Sequence, residues 1–238
     1  MFTLELLQKI NDWQCGGDAK QNIKRGLALK EAVKNLPAEF RQTEKTCYRQ
    51  VALTKSFVWT IGTEHKLSEK ISSWSECIIV AKNFKGGVPP PGYQGVIFSI
   101  QPPKTSLIVN LSRLYNNTEF TQAINTHKGE ISGYHNGIGK YENSQQEVVI
   151  DIESLPLNSI HSWGGYVEPE QRLITLSEMY YGRVASNEEL VSLKELISQS
   201  GHQLGPSWLS TPDAVKRVSK KLACYGEILS KSRGKPIA

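Results

Sequence analysis

The sequence predicts an α+β fold in which helices flank a β-rich middle at both ends. Apolar residues recur at helical spacing within the first 36 residues, and helical patterns return at about 187–200 and 211–231. Between them, short runs of β-branched, aromatic and aliphatic residues crowd the segment 46–155. We expect the strands in this segment to pair mainly in antiparallel or mixed fashion.

The 238 residues suffice for one large domain or two small ones, and we expect a single domain over 1–238. It comprises N-terminal helices in 1–45, a β-rich core in 46–155 and a C-terminal extension with helices in 156–238. Apolar residues make up 39 % of the chain, which is usual for a globular protein. No apolar run approaches the ~20 residues of a membrane span, and the N-terminus lacks a signal-peptide pattern. We therefore predict a cytoplasmic protein with no membrane partner.

Two helices are predicted before the first strand. Leu4, Leu7 and Ile10 recur at helical spacing, and a similar pattern follows the polar, glycine-containing segment 11–18. That segment is predicted to be the turn between the helices, because glycine and short polar residues favour turns. Pro37 ends the second helix, since proline cannot continue a helix interior.

The first strands are predicted at 46–53, 56–61 and 71–74, where β-type residues dominate. Ser75 follows the third run and is suited to cap a helix over 76–84, because its hydroxyl can accept from a backbone amide. The segment after that helix is rich in glycine and proline and is predicted to interrupt regular structure.

Two further strands are predicted at 95–100 and 106–109, followed by a short helix at 117–126. Residues 129–144 are polar and glycine-rich, and they are predicted to form a long loop. Long loops without their own secondary structure are often functional. The loop leads directly into the apolar strand predicted at 145–150.

The cysteines and histidines show no pattern typical of a metal site. The four cysteines, Cys15, Cys47, Cys77 and Cys224, form no CxxC pair, and the five histidines are scattered along the chain. We expect reduced, structural thiols and no bound metal.

Positive charge is concentrated at the two ends of the chain, and most of it lies at the C-terminal end. The formal net charge is +5, and residues 211–238 alone hold seven Lys or Arg against two Asp or Glu. A basic end of this kind attracts nucleic acid or another polyanion, although a solvated helix face has the same composition.

Three short polar stretches lie on or beside predicted strands. Arg49 stands within an apolar β-run, where it either faces solvent or reaches a specific anion. The stretch Ser73-Trp74-Ser75 ends a strand, and a helix cap at its last residue does not explain the other two. Gln145 and Glu147 are two residues apart, so on a strand both would point to one face.

The order of these stretches resembles the Arg–Ser–Glu class of ADP-ribosyltransferases. The segment Ile71-Ser-Ser-Trp-Ser75, followed by Val80-Ala-Lys-Asn-Phe84, is similar to the Ser-Trp-Thr/Ser…Val-Ala…Phe stretch of bacterial and phage members. The resemblance covers residues 45–155, and the chain looks like the toxin component of a bacterial phage-defence toxin–antitoxin system. It implies an ADP-ribosyltransferase-like split β-sandwich core and NAD as a substrate.

The resemblance also implies roles for individual residues. Glu147 would stabilise the positive charge that grows on the ribose as nicotinamide leaves, and would bind the ribose 2′-hydroxyl. Arg49 would anchor NAD, because a guanidinium engages phosphate through its planar fork of donors. Ser73 and Ser75 would bind and order the cofactor site. Phe84 would pack against the nicotinamide ring.

The acceptor is indicated by Gln145, which would act beside Glu147 in catalysis. Arginine-modifying members of the class have glutamate at this position, whereas members that modify asparagine or a guanine base have glutamine. An amide can donate to and accept from a neutral amide or a base edge, so arginine is disfavoured as the target. Tyr134 and Tyr141 in the preceding loop would bind the acceptor, since aromatic rings can stack on bases.

We therefore expect an NAD-dependent ADP-ribosyltransferase toxin that modifies a base of single-stranded nucleic acid, with RNA favoured over DNA. The alternative is a mono-ADP-ribosyltransferase that modifies a protein side chain other than arginine. A third reading is a non-enzymatic binding module on a degenerate scaffold, which the retained Arg, Ser and Glu disfavour. An antitoxin or chaperone protein is a possible partner of the flanking helices.

Overall fold

The computed structural model describes residues 1–54, 64–164, 169–200 and 207–232 of the chain. It is a mixed α+β structure, with 50 % helix, 20 % strand and mostly antiparallel pairing between strands. The α+β class predicted from the sequence is therefore confirmed. The finer prediction of an ADP-ribosyltransferase-like split β-sandwich stays a prediction.

The helices and strands alternate along most of the chain. The helices are α1 Leu4–Gln14, α2 Ala19–Ala32, α3 Ile78–Asn83, α4 Leu111–Tyr115, α5 Thr118–His127, α6 Ile138–Tyr141, α7 Pro169–Tyr181, α8 Asn187–Gln199 and α9 Pro212–Ser232. The strands are β1 Cys47–Thr54, β2 His65–Lys66, β3 Ile71–Ser75, β4 Tyr93–Ile100, β5 Leu107–Asn110, β6 Glu147–Asp151, β7 Ser154–Leu155, β8 Ile160–Gly164 and β9 Trp208–Leu209. None of the helices in the described part of the chain has the length and apolar character needed to cross a membrane.

The chain divides into two compact units. The first unit comprises Met1–Arg49, Glu64–Val80 and Ser99–Ser159. The second unit comprises Gln50–Thr63, Ala81–Phe98 and Ile160–Ala238. The single domain expected over 1–238 stays a prediction.

The sheet of the first unit brings the predicted site residues onto neighbouring strands. β6 lies between β5 and β3, and β1 follows on the far side of β3. In the antiparallel β3–β6 pair, Ser75 lies opposite Glu147 and Ser73 lies opposite Val149. Because side chains two residues apart share one face of a strand, Ser73 and Ser75 point to the same side of the sheet.

Helices α1 and α2 pack onto this unit through an apolar core. Thr3 caps α1, and Asp18 caps α2 in a capping box with Gln21, which satisfies backbone amides that the first turn leaves free. Burial of each large aliphatic side chain contributes roughly 1.5–3 kcal/mol. The buried core residues from the helices and strands of this unit include Leu6, Leu7, Ile10, Trp13, Leu29, Val33, Ile71, Val109, Leu111, Leu114, Phe120, Ile138 and Val149.

In the second unit, β8 pairs with β4 and with β9. A Cβ on Gly95 of β4 would lie 2.4 Å from the carbonyl oxygen of Gly164 on β8, so this close approach requires glycine. α9 packs against β8 through its buried Ala214 and Val215. Four of its basic side chains are exposed: Lys216, Arg217, Lys220 and Lys221.

The structure corrects one element predicted from the sequence. The segment 129–144, expected to be a loop without secondary structure, contains a 3-10 turn at Tyr134–Asn136 and the short helix α6. The buried side chain of Asn11 explains the difference, because its amide donates to the Ser132 carbonyl at 2.9 Å and accepts from the Ile138 amide at 3.0 Å. A contact with α1 that is distant in sequence therefore shapes this segment.

The other predicted elements agree with the structure to within a few residues. The helix expected over 76–84 is α3, and it begins at Ile78. The run 56–61, which was expected to form a strand, lies outside the described residues. α7 was not predicted, because its apolar residues do not form a clear helical stripe in the sequence.

A substitution at Gly26 tests how closely α2 packs against Ile71 and Trp13. A Cβ at this position would lie 2.9 Å from Cγ2 of Ile71 and 3.1 Å from a ring carbon of Trp13, both of which are buried. Overpacking costs about 1–3 kcal/mol, which outweighs the ~1 kcal/mol that alanine gains over glycine in a helix. Since the two terms oppose each other, we expect Gly26→Ala to lower the free energy of unfolding by about 1 kcal/mol, and by no more than ~2 kcal/mol, in urea denaturation.

Gly129→Ala is the matched control, because a Cβ there meets nothing within 4 Å. Its free energy of unfolding should change by less than ~0.5 kcal/mol. Equal effects of the two substitutions would show that α2 does not pack tightly at Gly26.

Candidate active site

The candidate site is centred on the carboxylate of Glu147, the first residue of β6. Glu147 is only 5 % exposed, and its Oε1 accepts hydrogen bonds from the Ser73 hydroxyl and, at 2.8 Å, from Nε1 of Trp13. Its Oε2 accepts from Nε2 of Gln14 at 3.3 Å. A buried carboxylate is costly unless donors satisfy it, so these three contacts account for its presence in the interior.

Arg49 lies on β1, beside β3. Its NH1 donates to the carbonyl oxygen of Ser73 at 2.8 Å, and its NH2 lies 3.4 Å from Oε2 of Glu69. Burial lowers the pKa of Arg49, while the carboxylate of Glu69 opposes that shift. The Nε–H group of Arg49 is buried without a hydrogen-bond partner among the described residues, so this guanidinium retains donor capacity.

Three residues predicted from the sequence thus form one connected cluster. Arg49 donates to the Ser73 backbone, and the Ser73 side chain donates to Glu147. These contacts join positions that are 24 and 74 residues apart in the sequence. The cluster therefore depends on the pairing of β1, β3 and β6 and on no local motif.

Ser75 and Gln145 meet through the backbone. The Ser75 hydroxyl donates to the carbonyl oxygen of Gln145 at 2.7 Å and accepts from the amide of Cys77 at 3.0 Å. The amide side chain of Gln145 is half-buried, and within the described ranges this residue is bonded through its backbone carbonyl, which accepts from Ser75. Ser75 therefore fixes the chain just before β6 and leaves that side chain available.

The shared strand face expected for Gln145 and Glu147 is wrong. β6 begins at Glu147, and Gln146 between them has a left-handed φ of 44°. The alternation of side chains across a strand does not extend through such a residue. Gln145 therefore lies on the turn that leads into the strand.

The structure also describes the surroundings of Trp74, Phe84 and Tyr134. Trp74 is buried, and its indole donates to the Ser72 hydroxyl at 3.1 Å, so its side chain packs in the core. Phe84 belongs to the second unit and is 43 % exposed, with Nζ of Lys85 5.8 Å from its ring centre. Tyr134 is half-buried and packs edge-to-face on His135.

Tyr141 lines a cavity of about 610 Å³ in the first unit, between the α1–α2 turn and the segment 132–141. Arg25 and Lys140 also line it, and neither forms an ion pair within the described ranges. Asp12 is the one carboxylate on its wall, and it accepts from Nε2 of Gln8 at 2.8 Å. The cavity therefore has an excess of positive charge and an aromatic ring.

Sequence reasoning missed Trp13, Gln14 and Tyr115. The Tyr115 hydroxyl donates to Oε1 of Gln14 at 2.7 Å, which connects it to Glu147 through one side chain. Burial, followed by the charge of Glu147, raises the pKa of Tyr115, so the phenol stays protonated. The signal in the sequence was the polar residue Gln14 on the buried face of α1, which it shares with Asn11 and with apolar residues.

The described residues contain no group of three or more His, Cys, Asp or Glu side chains that could hold a metal ion. Comparisons of the chain with protein-family models, curated proteins and solved structures found no match. What can be inferred about function therefore depends on the side chains around Glu147 and in the adjoining turn.

The four cysteines, none of which forms a disulfide, differ in how far their thiols are buried. Burial, and secondly the nearby carboxylate of Glu76, raises the pKa of Cys47 to about 12. Since only the thiolate reacts, we expect iodoacetamide at pH ~8 to leave Cys47 unmodified in the folded protein, whereas the exposed Cys224 reacts.

Peptide mass spectrometry measures the two sites separately. Unfolding the protein in urea should make Cys47 as reactive as Cys224, because its pKa then returns to the ordinary range. Rapid labelling of Cys47 in the folded protein would contradict its burial at the start of β1.

Proposed function

We propose that the protein is an NAD-dependent ADP-ribosyltransferase of the Arg–Ser–Glu class, acting as a toxin of the kind found in bacterial phage-defence toxin–antitoxin systems. The observation that carries the proposal is the contact between Arg49, Ser73 and Glu147. The three positions were selected from the order of motifs in the sequence, and hydrogen bonds connect them across three strands.

Glu147 would supply the electrostatic stabilisation of the reaction. In the transfer, the bond between C1 of the ribose and the nicotinamide nitrogen breaks, and its electron pair leaves with neutral nicotinamide. Positive charge grows on the sugar, and a fixed carboxylate beside it stabilises the transition state more than the ground state. A lone pair of the acceptor then forms the new bond to C1, and the acceptor releases its proton to solvent.

Arg49 would hold the pyrophosphate of NAD. Its contacts with the Ser73 carbonyl and with Glu69 fix the plane of the guanidinium and use two of its five N–H donors. The remaining donors can reach phosphate oxygens, for which the planar fork of arginine is well suited. Ser73 would keep Glu147 oriented beside the same substrate.

Gln145 favours an acceptor with a neutral amide-like edge. Its side chain is not committed to another group of the described structure, and an amide both donates and accepts. A base of single-stranded RNA fits this chemistry, since no base pair must be broken to reach it. The exposed basic face of α9 and the cationic cavity beside Tyr141 give the same preference.

A protein side chain other than arginine is the second candidate, because the same Gln145 amide complements the side-chain amide of asparagine. We propose the cytosol as the site of action, where the four free thiols remain reduced. An antitoxin or a chaperone that binds the flanking helices would restrain such an enzyme.

Transfer from labelled NAD tests the proposal. The purified protein is incubated with separate pools of RNA, single-stranded DNA, duplex DNA and protein, and label in each pool is counted. We expect label in RNA, and we expect Glu147→Gln to lower the rate by roughly 10²–10³, because the fixed charge is lost. Glu153→Gln, which alters an exposed carboxylate, is the control and should retain the wild-type rate.

Each outcome assigns a class. Label in protein alone would establish the second candidate and exclude nucleic acid as the acceptor. If the wild-type protein consumes no NAD with any pool, the protein is not a transferase of this class. Full activity in Glu147→Gln would remove Glu147 from the catalytic role.

The cavity beside Tyr141 makes a separate prediction about nucleic-acid binding. Replacing both Arg25 and Lys140 by glutamine should weaken binding of a short single-stranded RNA, because each cation that neutralises a phosphate releases a counterion. Fluorescence anisotropy across a range of salt concentrations should show a slope of log K against log[salt] that is flatter by roughly 1.4 units, about 0.7 for each of the two cations removed.

Lys128→Gln provides the control, since Lys128 is exposed in the same unit and does not line the cavity. An unchanged slope in the double variant would show that the cavity does not contact the RNA backbone.

A further inference from the structure

We infer that the last turn of α1 completes the active site, with Trp13 and Gln14 acting as positioning residues for the carboxylate of Glu147. This inference rests on the proposed function, because that function gives Glu147 a substrate, NAD. It extends the site beyond residues 45–155, which carry the resemblance, into a helix that was expected only to flank the core.

The hydrogen bonds to Glu147 come from two directions. Ser73 donates from β3, whereas Trp13 and Gln14 donate from α1, at 2.8 Å and 3.3 Å. Both oxygens have at least one donor, so the carboxylate cannot rotate about its last bond without losing a contact. A carboxylate offers about four lone-pair sites, so three donors leave one site for a substrate hydroxyl.

The orientation of Gln14 is itself determined by a neighbour. The Tyr115 hydroxyl donates to Oε1 of Gln14 at 2.7 Å, which leaves the Nε2 of that amide to face Glu147. Because burial raises the pKa of Tyr115, the phenol keeps the proton that it donates. The ring of Tyr115 packs edge-to-face on Phe120 with centroids 5.5 Å apart, which holds the hydroxyl in place.

The residues of α1 that anchor and contact Glu147 are themselves buried. Its buried Leu7 and Ile10 belong to the apolar core, and Trp13 and Gln14 are each only 8 % exposed. A positioning group must itself be fixed, since a misplacement of about 1 Å in an active site can cost 10²-fold in rate. The packing of α1 meets this requirement.

The chemistry of the donors argues for more than structural satisfaction. A buried carboxylate is usually paired with a cation, which would neutralise it. Here all three donors in direct contact are neutral, and Arg49 contacts the backbone of Ser73 instead of the carboxylate. The negative charge of Glu147 is therefore held in place but not cancelled, which suits stabilisation of a positive transition state.

Kinetics of NAD turnover test the inference. In Trp13→Phe and Gln14→Met, which remove one donor each, we expect kcat to fall about 10–100-fold while KM for NAD changes less than about threefold. Gln8→Met on the same helix and Trp163→Phe in the second unit are matched controls, since neither side chain contacts Glu147. Both controls should retain the wild-type kcat.

Tyr115→Phe keeps the ring in the core and removes only the hydroxyl, so it is the variant best suited to fold normally. Its kcat should fall several-fold with KM unchanged, because the Gln14 amide becomes free to turn. Wild-type kcat in all three variants would overturn the inference. An equal fall in Gln8→Met would also overturn it, since the effect would then belong to the helix as a whole.

A second measurement needs no catalysis. The ¹³C signal of the Glu147 carboxyl, identified by its loss in Glu147→Gln, should shift in Trp13→Phe and Gln14→Met but not in Gln8→Met. If the wild-type protein turns over no NAD, the proposed function fails while this spectrum still reports the contacts. An unchanged signal in both variants would overturn the positioning role whatever the turnover.

Discussion

The burial of one carboxylate is the constraint on which the rest of the first unit depends. Glu147 opens β6 inside the protein, where an unsatisfied charge would cost several kcal/mol. Its donors come from α1 and β3, so the burial of this end of the strand depends on both elements. Helix α1, which precedes the sheet in sequence, therefore contributes to the stability of that sheet.

The negative charge of this carboxylate is separated from the nearest cation. Arg49 attracts Glu147 electrostatically, but Ser73 lies between them. The carbonyl oxygen of Ser73 accepts a hydrogen bond from the guanidinium, and its hydroxyl donates one to the carboxylate. The carboxylate of Glu69 forms an ion pair with NH2 of Arg49. In a direct ion pair, Arg49 and Glu147 would neutralise each other and leave little charge to interact with a ligand. Ser73 lies between the two groups and prevents such a pair from forming.

Much of this arrangement was accessible from the sequence, because it depends on local patterns. β-type runs predict β1, β3, β4 and β5, and the order of Arg, Ser-x-Ser and Gln-x-Glu selects three residues that the strands bring together. The prediction that Gln145 and Glu147 share a strand face failed because Gln146 between them has a left-handed backbone, which interrupts the alternation of side chains. The residue pattern does not reveal this conformation. The structure of 132–141 depends on Asn11, and the roles of Trp13 and Gln14 depend on a partner more than 130 residues away. No periodicity encodes such contacts.

The long sequence separation between Trp13 and Glu147 has a consequence for how the molecule can be subdivided. Trp13 and the carboxylate of Glu147, which it contacts, lie 134 positions apart, near opposite ends of the chain that forms the first unit. A fragment trimmed to the span that resembles a known enzyme class would keep Glu147 and lose two of its three donors. Such a fragment would contain all the motifs, but the carboxylate of Glu147 would lack the hydrogen bonds that α1 supplies. On a ribosome the same geometry delays completion of the site until β6 has emerged, so a growing chain carries every earlier part of the site in an unassembled form.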